Sequence, residues 1–133
     1  MNKARVLIQM AAIYAVIGVF IGSHMAGAAD YRWNTVHGHI LLVGWLSLFA
    51  FGIFYAVFRI PKESKLANAH VWTAVFGSIG LTTGMWMYFF QPGFVSPTFS
   101  LIYFIVGGTI LAVSFLLFLI MTFRYSALLN DGE

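Results

Sequence analysis

The sequence WNTVHGHILLVGWLSLFAFGIFYAVF, residues 33–58, contains no Asp, Glu, Lys or Arg. It lies between Arg32 and Arg59, and about 20 apolar residues are enough to cross a bilayer as a helix. We therefore expect one membrane-spanning helix over residues 35–59. His37 and His39 lie near its start, and ionisable residues within a membrane span are candidates for function.

Two further charge-free stretches complete the pattern. Residues 6–29 fit one helix, and residues 66–123 are long enough for two. The second stretch is interrupted at residues 91–93, Gln-Pro-Gly, and again at Pro97, a composition that ends one helix and starts the next. The sequence predicts an all-α fold: an integral membrane four-helix bundle, forming a single domain over residues 1–133. The predicted spans are 5–27, 35–59, 67–90 and 97–123.

The composition supports a lipid-facing surface. The chain is 61% hydrophobic and 8% charged, whereas a soluble domain carries about 25% charged residues. It has no cysteine, which excludes thiolate zinc sites, iron–sulfur clusters and c-type haem attachment. We interpret the net charge of +3 as a sign of membrane orientation, and we expect no nucleic-acid partner.

The basic residues lie on one side of this topology. Only Arg32 falls on the other side. Because Lys and Arg collect on the cytoplasmic side, we expect both termini to be cytoplasmic in a multi-pass protein of a bacterial inner membrane. The residues on the inner side are Lys3, Arg5, Arg59, Lys62, Lys65 and Arg124.

Small residues recur at helical spacing in the first and third spans. Lipid gives no hydrophobic drive for helix association, so small residues that allow close backbone approach indicate where helices meet. We expect packing seams inside one bundle, with a seam between protomers as the alternative. The residues are Ala11, Ala15, Gly18, Gly22 and Ala26, and then Gly77, Gly80 and Gly84.

The spacing of His37 and His39 limits what they can bind. Residues two apart on a helix point in roughly opposite directions, because each step turns about 100°. The pair therefore cannot chelate one ion, but each imidazole could be an axial ligand of haem iron. Haem held from one helix face, with a second ligand from another helix, fits this arrangement, whereas a compact tetrahedral zinc site does not. Copper also binds imidazole, but we expect it less than haem.

Other polar residues extend the candidate site. His24 lies at the same outer depth and could join the site or hydrogen-bond to it. Asp30, Arg32 and Trp33 precede the pair, and Arg32 could make a forked contact with a haem propionate. His70 lies about 25–30 Å away at the other end of its helix, where we expect the membrane interface near Lys65 to account for it.

The chain resembles one helix of the catalytic subunit of haem–copper oxidases and nitric-oxide reductases. The resemblance covers roughly residues 30–90, with Asp30 seven residues before His37. That helix carries a His-x-His motif followed by an aromatic-rich stretch and a proline. The segments HGHILLVGW (37–45), FGIFY (51–55) and RIP (59–61) resemble that helix, and AHVW (69–72) resembles the helix that follows it in the family.

The resemblance implies a stand-alone version of one four-helix repeat of that subunit. It implies b-type haem, with His39 of one protomer pairing with His37 of a neighbour in a homo-oligomer, a trimer in the first instance and a dimer otherwise. The family's copper site needs an adjacent histidine pair, which this chain lacks. The resemblance therefore implies haem binding and one-electron transfer with an unidentified donor and acceptor, so an oxidoreductase role is open.

Two other functions remain open from the residues. If only one histidine binds each haem, the vacant iron position would allow a gas-binding sensor or reductase for oxygen or nitric oxide. Alternatively, the histidines could be the transfer site of a copper or haem carrier or assembly factor. Met10, Met25 and Met85 would then act as soft ligands for cuprous ion.

Overall fold

The computed structural model describes residues 1–129, and this part of the chain folds into four long helices with no β-strand. Each helix end lies within about two residues of its predicted position, so the all-α four-helix prediction is confirmed. Residues 130–133 of the predicted domain lie outside the described part. The helices are α1 (Lys3–Ala28), α2 (Asn34–Val57), α3 (Lys65–Phe90) and α4 (Pro97–Arg124), followed by a 3₁₀ turn, Ser126–Leu129.

Short polar side chains fix where three helices begin. Asn2, Ser64 and Ser96 each cap a helix by accepting a hydrogen bond from a backbone N–H three residues later. Pro97 occupies the first position of α4, where its missing N–H costs nothing. These caps fix the observed starts, whereas the predicted starts rested on the gaps between charged residues and, for α4, on Pro97.

Three of the described helices, α1, α2 and α4, are long and apolar enough to cross a membrane. Their most apolar windows have mean hydropathies of 2.1, 2.3 and 2.6. Only 22%, 33% and 22% of the residues in those windows are buried within the chain. Most of their apolar side chains therefore point outward, as expected for a protein that lies in lipid.

The remaining long helix, α3, has the most buried residues of the four and is not among the helices that are long and apolar enough to cross a membrane. Its Ser78 and Thr82 side chains are buried and donate to backbone carbonyls of α3, at 2.9 Å each. The Thr82 hydroxyl also lies 3.3 Å from the Tyr14 hydroxyl of α1. A helix packed at the centre can carry polar groups because neighbouring chain atoms satisfy them. That α3 crosses a membrane stays a prediction.

Glycines allow the backbones of α3 and α4 to touch. A Cβ added at Gly80 would lie 2.9 Å from the Gly107 Cα, and one at Gly107 would overlap the Gly80 carbonyl group. At Gly77 and Gly84 an added Cβ would come within 2.6 Å of the α4 backbone. The predicted stripe of glycines on α3 is thus a seam inside the bundle.

The α1–α2 hairpin is packed in the same way. An added Cβ at Gly18 would overlap the Leu41 side chain, and one at Gly44 would overlap the Tyr14 ring. At Gly52 it would lie 2.6 Å from the Ile8 side chain. Both hairpins therefore have glycine at the contact. The interpretation as intramolecular seams is confirmed for Gly18, Gly22 and the α3 glycines, whereas Ala26 of the predicted α1 stripe is exposed.

Adjacent glycines on α4 provide a matched test of this packing. We expect Gly107→Ala to lower the free energy of unfolding in detergent by about 1–3 kcal/mol, because the methyl would displace the α3 backbone. We expect Gly108→Ala to leave it unchanged or raise it by up to about 1 kcal/mol, since its Cβ meets only the flexible Leu81 side chain, at 3.4 Å. Unfolding in increasing SDS, followed by circular dichroism, measures both, and equal effects would contradict the seam.

Candidate histidine site

The two candidate ligands lie on the first turns of α2. Residues Asn34–His39 are α-helical, and the His37 backbone N–H donates to the Trp33 carbonyl at 2.7 Å. Both side chains are half-buried. Their positions on regular helix keep the opposed directions that the spacing of two residues predicts.

The His39 ring is held by its own helix. Its Nδ1 lies 2.9 Å from the Thr35 carbonyl oxygen. A carbonyl oxygen can only accept, so Nδ1 carries the proton of the neutral ring and donates it. The lone pair is then on Nε2, which is the arrangement that metal-bound histidines show when a carbonyl orients them.

His37 faces α1 instead. A Cβ added at Gly22 would lie 3.0 Å from the His37 Cε1 and 3.4 Å from its Nε2, so the ring lies flush on the α1 backbone. Its Nδ1 is buried and has no hydrogen-bond partner within residues 1–129. A buried polar atom without a partner is uncommon, and His70 Nε2 and Ser114 Oγ are the other such side-chain atoms in the described part of the chain.

The described residues contain no group of three or more His, Cys, Asp or Glu that could hold a metal ion. A haem needs only one or two axial ligands from protein, because its own nitrogens fill the other positions. His39 fits that requirement, with a fixed ring and a free Nε2. The His37 ring is less accessible to a haem, because α1 covers part of it.

A π-helical segment, Ile40–Ser47, begins directly after His39. The Ser47 hydroxyl donates to the Leu42 carbonyl five residues earlier, at 2.9 Å. Such wide turns are rare and occur frequently at functional sites. The segment changes the direction in which later α2 side chains point relative to the histidines, and the sequence pattern did not predict it.

The loop between α1 and α2 contains an ion pair. The Arg32 guanidinium donates to both carboxylate oxygens of Asp30, at 2.6–3.0 Å, and the Arg32 backbone N–H adds a bond of 3.1 Å. These hydrogen bonds from Arg32 lower the pKa of Asp30 to about 2, with His24 adding a smaller electrostatic effect. The guanidinium that we expected for a propionate is therefore already bound to Asp30.

The two other candidates have separate positions. Trp33 packs on Phe90 with ring centroids 4.4 Å apart, so it joins the outer ends of α2 and α3. His24 is exposed near the end of α1. An apolar groove of about 350 Å³ lies between α1 and α3, with Trp33 and Trp86 at one end, but no histidine lines it.

The prediction that the membrane interface near Lys65 accounts for His70 is wrong. His70 is fully buried, and its Nδ1 lies 2.8 Å from the Tyr55 hydroxyl. The Phe51 ring packs against it, with centroids 4.7 Å apart. The turn between α2 and α3 places Tyr55 and His70 at the same depth in the bundle. The sequence signal that could have predicted this contact was the position of the two residues on either side of Pro61.

No protein-family model matches this chain, and neither a curated protein nor a solved structure matches it. The resemblance to haem–copper oxidases and nitric-oxide reductases therefore stays a prediction from the residues at 30–90.

The Asp30–Arg32 pair gives a pH-dependent prediction. Because the pKa of Asp30 is lowered from 3.8, the ion pair is complete above pH 4 and is lost as the pH falls through about 2. We expect Arg32→Gln to move the Asp30 midpoint back towards 3.8, although the backbone N–H of residue 32 still donates. NMR of the side-chain carboxyl carbon measures the midpoint. Arg124→Gln is the control, and a wild-type midpoint near 3.8 would contradict the pairing.

Proposed function

We propose that this chain is an integral membrane protein that crosses the bilayer four times and binds b-type haem near the outer face through His39. Its proposed role is one-electron transfer. The apolar outward faces of α1, α2 and α4 support membrane insertion. The basic residues at one end of the helices support cytoplasmic termini, and a bacterial inner membrane is the proposed location.

The observation that carries the haem proposal is the hydrogen bond from His39 Nδ1 to the Thr35 carbonyl. It fixes the ring and leaves Nε2 as a lone-pair donor at a half-buried position. Ionisable residues within a membrane span are costly, so a histidine held in this way is a candidate ligand. A bound haem would supply one-electron redox chemistry between ferric and ferrous iron.

The chain's own residues would orient and shield the group. His39 would hold it from α2, and the apolar side chains around the start of α2 would exclude water from it. The Asp30–Arg32 pair lies in the preceding loop, so Arg32 could bind a propionate only by leaving or sharing Asp30. His24, exposed on α1, is a further donor at this end.

A second axial ligand would have to come from another protomer, because His37 and His39 of one chain face different surroundings. The proposed assembly pairs His39 with His37 of a neighbour, as a trimer or otherwise a dimer. In this assembly His37 would bind through its Nε2, because its Nδ1 is buried within the chain. The electron donor and acceptor would be separate proteins or small carriers.

The position of His37 also favours a second candidate, a gas-binding sensor or reductase. Its ring lies against Gly22, so a haem on His39 could remain five-coordinate. An open iron position would bind oxygen or nitric oxide. The carrier alternative has less support, because Met25 and Met85 are buried in the core and cannot offer their sulfur atoms to an exchanging ion.

Visible absorption of the purified chain, expressed with added haem, tests these proposals. We expect a Soret band and sharp reduced bands that carbon monoxide leaves unchanged. His39→Ala should lower haem per protein by more than about tenfold, because even the loss of a residue that only orients a metal ligand weakens metal binding by about 10–100-fold. His70→Asn, which keeps an acceptor for Tyr55, should bind haem normally.

The other outcomes of this experiment would favour the gas-binding candidate or contradict the haem proposals. A spectrum that shifts with carbon monoxide would support the gas-binding candidate. Equal haem content in His39→Ala and wild type, with native helix content in both, would contradict His39 as the ligand. Absence of any haem band from the folded wild-type protein would contradict both haem proposals.

A further inference from the structure

A second cavity, of about 670 Å³, opens at the inner end of the bundle. The start of α1 forms one side, and the end of α2 with the following turn forms the other. Lys3, Arg59 and Lys62 line it, and no acidic side chain does. This cavity, called here the inner cationic cavity, contains none of the candidate haem residues.

Lys3 is the most informative residue of this cavity. It is only 7% exposed, and its ammonium donates to the Lys62 backbone carbonyl at 2.7 Å. An ammonium has three N–H donors, so this bond uses one of them and provides no negative charge. A buried cation normally has an anion beside it, because desolvation is otherwise costly.

The described part of the chain does not supply that anion. Its only ion pair is Asp30–Arg32, at the outer end. Glu63 is exposed in the inner turn and forms no ion pair within residues 1–129. Arg59 and Lys62, both exposed at the cavity, add positive charge beside Lys3 instead of balancing it.

The walls of the cavity narrow the class of anion. Beside the cations lie apolar groups, among them Phe58, Ile60 and Pro61. A soluble anion gains nothing from such walls, whereas a lipid has a charged phosphate joined to glycerol and acyl chains. Basic pockets at the cytoplasmic side of membrane helices bind anionic headgroups in this way.

We infer that the inner cationic cavity binds the phosphate of an anionic phospholipid such as phosphatidylglycerol, with Lys3 and Arg59 as its charged contacts. The inference rests on the membrane part of the proposed function and is independent of haem. The ligand would neutralise Lys3 and hold the start of α1 against the α2–α3 turn. Selectivity over phosphatidylcholine would follow because Arg59 and Lys62 repel a choline group.

Lipid binding to the delipidated full chain in neutral detergent provides the test, using native mass spectrometry and the unfolding temperature. We expect phosphatidylglycerol to bind and raise the unfolding temperature more than phosphatidylcholine does. Lys3→Met should weaken the phosphatidylglycerol affinity by about tenfold, since it removes a charge-assisted hydrogen bond. Arg59→Gln, an exposed change that leaves folding intact, should weaken it by about fivefold.

Lys65→Met is the matched control, because Lys65 is an exposed cation at the same end that does not line the cavity. Its preference for phosphatidylglycerol should equal that of the wild type. Equal binding of both lipids to the wild type, or an unchanged preference in both Lys3→Met and Arg59→Gln, would overturn the inference. Equal stabilisation by millimolar inorganic phosphate would also overturn it, because the site would then belong to a soluble anion.

Discussion

Backbone contact between α3 and α4 at Gly80 and Gly107 is the interaction on which the α3–α4 half of the bundle depends. In lipid, helices gain little from hiding apolar side chains, so close van der Waals contact has to hold them together. The seam fixes α4 beside α3 and thereby brings Phe118 and Met121 over the Tyr55–His70 pair. A buried histidine is tolerated there because one of its nitrogens has a partner and aromatic rings surround it.

The contact between α1 and α2 depends on glycine in the same way. Gly22 lets the His37 ring lie on α1, and Gly44 lets the π-helical part of α2 pass the Tyr14 ring. His39 remains outside this contact and is held by Thr35 alone. Helix α2 therefore directs His37 towards α1 of the same chain and leaves His39 outside that contact. This difference is why we propose the functional site at this end of α2.

The positions of the four helices were predictable because charge is so scarce. Each gap between charged residues matched one helix, or two where residues 91–93 supplied a turn. The opposed directions of His37 and His39 followed from helix geometry alone. These features are local, and local features are what a single sequence expresses most directly.

Other features depended on contacts between distant residues. The burial of His70 requires Tyr55 from the preceding helix, and the pattern around Lys65 resembled an ordinary interface. The π-helical segment has the same apolar composition as an α-helix, so its sequence gave no sign of the wider turns. From the sequence, the Arg32 side chain could have been free to bind a ligand. In the structure it forms an ion pair with Asp30, two residues away.

The most direct test of the proposed architecture is the side of the membrane that each loop faces. The chain has no cysteine, so single cysteines at Gly93 and Glu63, both exposed in turns, can be labelled with an impermeant maleimide. Four crossings predict that Gly93→Cys reacts in intact spheroplasts and that Glu63→Cys reacts only after permeabilisation. Reaction of both from the same side would show that α3 does not cross, and it would contradict the proposed topology.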